Sequence, residues 1–146
     1  MLLGGDTTRT PGELTLTVTL FGEVRSGRAI RRNAAQSGDI VCVSGTIGDA
    51  GLGLMRLSDG MDDDDELVKR FQLPDPRVSL GPALGGIASA MADVSDGLVA
   101  DLGHICEASG CTAMIHAKDV PLSVGGRAAL SADGTGIARL LTGGDD

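Results

Sequence analysis

The sequence contains no tryptophan, no tyrosine and only two phenylalanines. Aromatic side chains dominate most protein cores, so this interior must rest on Leu, Ile, Val, Met and Ala. A long apolar run is also missing. The longest uncharged stretch, residues 78–92, is rich in Gly, Ala and Ser, and it is shorter than the roughly 20 residues a membrane helix needs. Met1-Leu2-Leu3 has neither the basic start nor the apolar stretch of a secretory leader. The three cysteines (Cys42, Cys106, Cys111) are odd in number and lack a framework spacing. Reduced thiols in a cytoplasmic protein, with no membrane partner, are therefore expected.

Basic charge is scarce where a polyanion would need it. The net charge is −8, and it is unevenly spread. Residues 1–39 hold five Arg against four acids, whereas residues 40–146 hold seven basic residues against sixteen acidic ones. A nucleic-acid partner would require a basic face, and none is evident. An acidic chain still binds phosphorylated ligands where metal ions supply the positive charge.

What is abundant is glycine, at 23 of 146 residues. The length suits one domain. The chain nevertheless opens on Gly4-Gly5-Asp6-Thr7-Thr8-Arg9 and closes on Gly143-Gly144-Asp145-Asp146, loops with no element before or after them. It reads as an internal fragment. Residues 14–24 alternate Leu14, Leu16, Val18, Leu20 against Thr15, Thr17, Thr19, Phe21, the period of a half-buried strand. Further strands are expected at Ile40–Ser44, Ala90–Val94 and Thr112–His116. Helices are expected after the loop Gly45–Gly53 through Leu57, at Glu66–Gln72, weakly over Arg77–Ala88, over Leu98–Ser109, from Ser123, and over Gly136–Leu141. Asp62–Asp65 reads as a solvated loop. On Leu98–Ser109 the apolar stripe is Leu98, Val99, Leu102, Ile105 and Cys106, with Asp101, His104 and Glu107 opposite and Gly110 as the terminator. Alternating strands and helices after residue 40 point to an α/β or α+β layered fold.

Several chemistries are excluded by spacing. The glycines of Gly45–Gly53 do not fall as G-x-G-x-x-G, and no G-K-[ST] is present. His104, Cys106, Cys111 and His116 lack the paired knuckle spacing of a zinc site. No Ser/His/Asp or Cys/His nucleophile pattern can be assembled. The remaining candidate is Asp93-Val94-Ser95-Asp96-Gly97-Leu98. Two carboxylates at ~4 Å and an effective dielectric of ~20 repel by about 4 kcal/mol, which a hard cation would relieve. The same residues also serve as a helix cap, with Ser95 or Asp96 opening the next helix. Similar glycine–aspartate loops occur at Asp6 and at Asp145-Asp146. Three such loops suggest a metal–phosphate site, with backbone N–H groups and arginines (Arg9, Arg25–Arg32) meeting phosphate oxygens.

Leu3–Arg9, Ser37-Gly38-Asp39, Val43–Asp49, Asp93–Leu98 with Asp101-Leu102-Gly103-His104-Ile105, and Leu141–Asp146 resemble, in order, the motifs of the thiamine-monophosphate kinases. That family lies within the aminoimidazole ribonucleotide synthetase superfamily. The resemblance implies a two-layer α/β fold, incomplete at both ends. Residues 1–36 would be the remnant of an N-terminal ATP-binding half-domain, and 37–146 most of a C-terminal domain. It implies ATP-dependent phosphorylation of thiamine phosphate to thiamine diphosphate by direct in-line transfer, assisted by several Mg²⁺ ions. Carried over by position, Asp6, Asp93 and Asp96 are Mg²⁺ ligands. Gly5, Asp6, Arg32 and Ser95 meet ATP, and Asp145 replaces a substrate-contacting residue that is commonly Glu. The family's homodimer forms largely through its N-terminal sheet, to which Leu14–Val24 would belong, so that edge is an association hazard here. An N-terminal G-D-D loop and a later tyrosine and glutamate of the family have no counterpart, which implies little activity for this chain alone. Two alternatives stand beside this reading: another superfamily enzyme, such as aminoimidazole ribonucleotide synthetase or selenophosphate synthetase, and an acidic metal-binding module without catalysis.

Overall fold

The protein is described here by a computed structural model covering residues 3–61, 65–132 and 136–144. Asp62–Asp64 of the acidic run and the closing Asp145-Asp146 lie outside the described residues. Among the described residues six α-helices follow one another: α1 (Asp49–Ser58), α2 (Glu66–Gln72), α3 (Leu80–Ala83), α4 (Leu98–Ser109), α5 (Val124–Ala132) and α6 (Ile137–Leu141), with a 3₁₀ turn at Ala117–Asp119.

Three of the helices have a visible local cause. Asp65 takes an extended backbone, and its Oδ1 accepts the N–H groups of Leu67 and Val68 at 2.9 and 3.2 Å, capping α2. Its other oxygen pairs with Arg56 near the end of α1. The last acid of the run is thus a cap as well as the end of a loop. Ser123 does the same work for α5, where its Oγ accepts the Gly126 N–H at 2.9 Å. Gly110, at φ 65°, ends α4 in the left-handed conformation that its sequence position implies.

Helices α1 and α2 cross in close contact. A Cβ added to Gly53 would lie 2.0 Å from the Leu67 carbonyl oxygen, so only glycine allows this approach. Two apolar clusters hold the helices together. Leu52, Leu67 and Leu140 form one, flanked by Met55, Leu122, Ala129 and Leu130. Ile47, Leu98 and Leu141 form the other, flanked by Val43, Val94, Ile115, Val120 and Ile137. The adjacent residues Leu140 and Leu141 of α6 each enter a different cluster, so this five-residue helix joins both halves of the core. Each fully buried aliphatic side chain contributes about 1.5–3 kcal/mol relative to exposure, which makes α6 more important than its length suggests.

The strands expected from sequence do not form ladders among the described residues. Leu14–Val24 is unpaired, and both of its faces are in solvent: Leu16 is 84 % and Phe21 83 % exposed, which corrects the half-buried reading. Ile40–Ser44 and Thr112–His116 likewise carry no ladder, although Val43 and Ile115 do reach the core. Of Ala90–Val94 there remains a single parallel bridge, Arg31 to Ala90, with Met91 N–H donating to the Arg31 carbonyl at 3.2 Å. The cause is physical. A helix closes its hydrogen bonds within itself, whereas a strand needs a neighbour to accept and donate. The weak helix expected over Arg77–Ala88 shortens to α3 and flanking turns.

Candidate functional site

The segment Asp93–Gly97 connects the Ala90 bridge to α4 and carries the acids singled out by sequence. Ser95 Oγ donates to Asp93 Oδ2 at 2.8 Å, and Arg32 Nη2 approaches Asp93 Oδ1 at 3.4 Å. The Ser95 hydroxyl, followed by Asp93's own backbone N–H and then the Arg32 charge, outweighs partial burial and holds the Asp93 carboxyl below its ordinary value. Asp93 therefore stays ionised at neutral pH. The Arg32 pair is loose and open to water on both sides, with side chains 54 % and 60 % exposed. Such a pair contributes little to stability and is easily exchanged.

Neither Ser95 nor Asp96 caps α4, contrary to the capping reading. The cap position is Gly97, at φ 111° and ψ 151°, with no side-chain cap. The preceding turn is held from the other direction: Asp101, in the first turn of α4, accepts the Asp96 N–H on Oδ2 at 3.0 Å. Asp101 is only 6 % exposed, so its placement on the solvent face with His104 and Glu107 is corrected, while those two are exposed as expected. Its signal in the sequence was position, since an acid in the first helical turn meets unpaired N–H groups. Of the proposed apolar stripe, Leu98 is buried and Val99 is 47 % exposed.

The closing glycines come to the same place. A Cβ on Gly97 would lie 2.7 Å from the Thr142 carbonyl carbon, and one on Gly144 would lie 2.2 Å from the Ser95 carbonyl oxygen. Two of the three glycine–aspartate loops, distant in sequence, therefore share one surface, and α6 with its buried Leu140 and Leu141 delivers the second loop. Asp145 follows Gly144 but lies outside the described residues. The third loop stands apart. Gly5 has open space around it, and among the described residues the Asp6 carboxylate accepts its neighbour's N–H, from Thr7 at 2.8 Å, and no other.

The donor chemistry suits a hard cation. Asp93, Ser95 and Asp96 all present oxygen and all are exposed. Asp96, Asp101 and His104 also bring one possible ligand atom each within 4.8 Å of one another. Asp101 is already engaged by the Asp96 N–H, so its first role is to shape the loop. The four-residue zinc set is not assembled: His104 groups with the two aspartates, and Cys106 and Cys111 are absent from that group. A second buried acid, Asp49, accepts the hydroxyls of Thr46 and Ser123 and fastens the start of α1 to that of α5. No helix among the described residues is long and apolar enough to cross a membrane.

Comparison with known proteins adds an independent line. Residues 36–136 match the family model described as AIR synthase related protein, C-terminal domain. The chain is 44 % identical over 149 residues to the thiamine-monophosphate kinase of Caulobacter vibrioides, covering 99 % of this chain and 42 % of that protein. It is 44 % identical over 127 residues to the Escherichia coli K12 thiamine-monophosphate kinase, covering 84 % of this chain and 38 % of that one. The crystal structure of thiamine-monophosphate kinase from Stenotrophomonas maltophilia K279a superposes with a TM-score of 0.72 at 42 % identity, over 82 % of this chain and 40 % of that one. AaThiL complexed with AMPPCP and TMP superposes equally well, at 0.72 and 34 % identity, over 80 % and 40 %. The chain thus spans about two fifths of the length of these relatives. Over the matched residues its backbone follows the course of theirs.

Proposed function

The chain belongs to the AIR synthase related proteins, whose C-terminal domain its residues 36–136 match, and on that premise we propose that it forms part of the ATP- and Mg²⁺-facing side of an enzyme that phosphorylates thiamine monophosphate to thiamine diphosphate. The choice of substrates is supported by relatives that are thiamine-monophosphate kinases and by a similar structure holding AMPPCP, an ATP analogue, together with TMP. The observation that carries the reading is the contact of Gly144 with Ser95 and of Thr142 with Gly97, which gathers two acidic glycine loops on one surface.

In this reading Asp93 and Asp96, with Asp6, hold Mg²⁺, and Gly5, Arg32 and Ser95 meet ATP. Asp145 is assigned to the thiamine substrate by its position in the family's motif. Bound Mg²⁺ would supply the positive charge that an acidic chain lacks for phosphate. Asp93, kept ionised by Ser95 and Arg32, offers a carboxylate without a proton to displace. Arg32, loosely held at 3.4 Å, exchanges Asp93 for a phosphate oxygen as charge arrives. Gly97 and Gly144 let the two loops pack backbone against backbone, which no residue with a Cβ would allow. Direct phosphoryl transfer requires alignment and charge neutralisation more than a covalent nucleophile, which agrees with a site made of acids, a hydroxyl and an arginine.

Residues 1–36 are assigned to an N-terminal half-domain and residues 37–146 to the C-terminal domain. The unpaired segment Leu14–Val24 would find its neighbours in a homodimer. Among the described residues Asp6, Asp93 and Asp96 are not gathered into one group of ligand atoms, and the 146 residues alone are proposed to have little or no activity. The test is Mg²⁺-dependent formation of thiamine diphosphate by the protein in its full genomic length. Product that falls with Asp93→Asn supports the reading, and absence of product at every Mg²⁺ concentration overturns it. Turnover by the 146 residues alone would overturn the statement about the fragment.

A further inference from the structure

The C-terminal end of α4 holds a second pair of reactive side chains, away from the Asp93–Gly97 loop. Gly110 reverses the chain there, with the Cys111 N–H donating to the Cys106 carbonyl at 3.0 Å and the Gly110 N–H to the Glu107 carbonyl at 3.3 Å. Together these two bonds make a Schellman motif, in which the residue just past the helix packs on the one a turn before its end. That contact is usually between apolar groups. Here the two positions carry thiols, Cys106 and Cys111, both half-buried and near enough that Cys111 acts on the Cys106 thiol. Cys42 is exposed on the segment before α1 and takes no part.

We propose that Cys106 and Cys111 form a reversible disulfide that reacts with low-molecular-weight disulfides such as glutathione disulfide. The Cys111 thiolate attacks one sulfur of the small disulfide, forming a mixed disulfide and releasing one small thiolate. Cys106 then gives its proton to water and attacks the Cys111 sulfur, which closes the protein disulfide and releases the second small thiolate. Two electrons pass from the protein thiols to the small disulfide, which leaves as two thiols; excess thiol reverses the sequence. Burial, and then the neighbouring Cys111, push the Cys106 thiol up, which leaves the first attack to Cys111. The turn is already closed by its two backbone bonds, so the ring forms on a preset frame.

The position of this turn gives the bond a reach beyond itself. Ser109, between the two cysteines, donates its Oγ to the Arg32 carbonyl at 3.0 Å and accepts the Ala35 N–H at 3.1 Å. A cross-link across Ser109 therefore steadies the segment that carries Arg32.

Peptide mapping after equilibration in glutathione disulfide and glutathione tests this directly. Trypsin leaves Cys106 and Cys111 together on the peptide from Val78 to Lys118 and Cys42 on a different one. The wild-type Val78–Lys118 peptide should lose both alkylatable thiols together, become lighter by its two thiol hydrogens, and recover with dithiothreitol. Cys106→Ser should stop at a glutathione adduct on Cys111, and Cys42→Ser should change nothing. Separate glutathione adducts on the two cysteines, a link from either to Cys42, or unreacted thiols at every ratio would each overturn the proposal. In the oxidised protein the Ala35 amide should exchange more slowly with deuterium. Unchanged exchange would overturn the coupling to Arg32.

Discussion

The buried Asp101 carboxylate accepts the backbone N–H of Asp96 at 3.0 Å, so a helix residue fixes the conformation of the acidic loop that precedes it. Gly97 between them provides no cap of its own, which leaves Asp101 as the group that fastens the loop to α4. Replacing Asp101 by Ala removes a charged acceptor and strands a part-buried N–H, a change that costs about 1–3 kcal/mol. Asp101→Asn keeps an acceptor and should lose less. Urea unfolding of the two variants checks the order, and an Ala variant as stable as the parent would show that the bond is dispensable.

The close approach of the two glycine loops makes a sharper prediction. Gly144→Ala would push a methyl group to 2.2 Å from the Ser95 carbonyl oxygen, and both contacting groups are backbone. The loops must separate, at a cost of about 1–3 kcal/mol for an overpacked contact. Gly103→Ala is the control, because nothing lies within 4 Å of its site and it sits inside α4. That change should stabilise the protein by roughly 0.5–1 kcal/mol through helix propensity alone. Thermal melts that move in opposite directions for the two variants are the expected result.

Why helices were easier to read from sequence than strands follows from where each keeps its bonds. Glu66–Gln72 and Leu98–Ser109 were legible to the residue, because a helix bonds within its own segment and Gly110 marks the end of the second. Leu14–Val24 shows the alternation of a strand, but its partner is not encoded in its own residues, and none lies beside it among the described residues. The site was legible in part. Asp93, Ser95 and Asp96 stood out as adjacent oxygens, whereas Arg32, which lies 3.4 Å from Asp93, was singled out by the resemblance alone. Asp101 is expected opposite the apolar stripe, yet it stands three residues from Leu98, about 60° round the helix, and shares the face that Leu98 buries. Periodicity along α4 does not reveal that the loop before it folds back over that face.

The Ser95 hydroxyl is the largest cause of the lowered Asp93 carboxyl, and this fixes the sign of a pH effect. A carboxylate whose folded value is depressed gives its stabilisation fully above the unfolded value of about 3.9 and loses it as pH falls through the folded value. Ser95→Ala should raise the Asp93 titration toward the unfolded value. Mg²⁺ or Mg–ATP binding should then fade at a higher pH than in the parent during acid titration. Carbon-detected NMR of the Asp93 carboxyl reads the first effect directly. An unmoved titration in Ser95→Ala would assign the shift to Arg32 and the backbone instead.

Leu14, Leu16, Val18 and Leu20 lie in solvent on a segment with no ladder among the described residues, each more than four-fifths exposed. An unpaired apolar edge is a template for another chain, and its alternation sets the register in which a second copy would add. The backbone bonds and the apolar face act together, so a charge on that face should weaken association without touching the core around Leu98 and Leu140. Leu16→Lys with Val18→Lys should shift the purified 146-residue chain toward monomer in light scattering at matched concentration. The thermal transition of the helical part should stay in place, because none of its cluster residues is changed. Thr15→Lys with Thr17→Lys, on the opposite face, tests whether the apolar face or charge in general is responsible. Equal loss of association in both double variants would show that net charge sets the oligomeric state, and the paired-edge explanation would then fail.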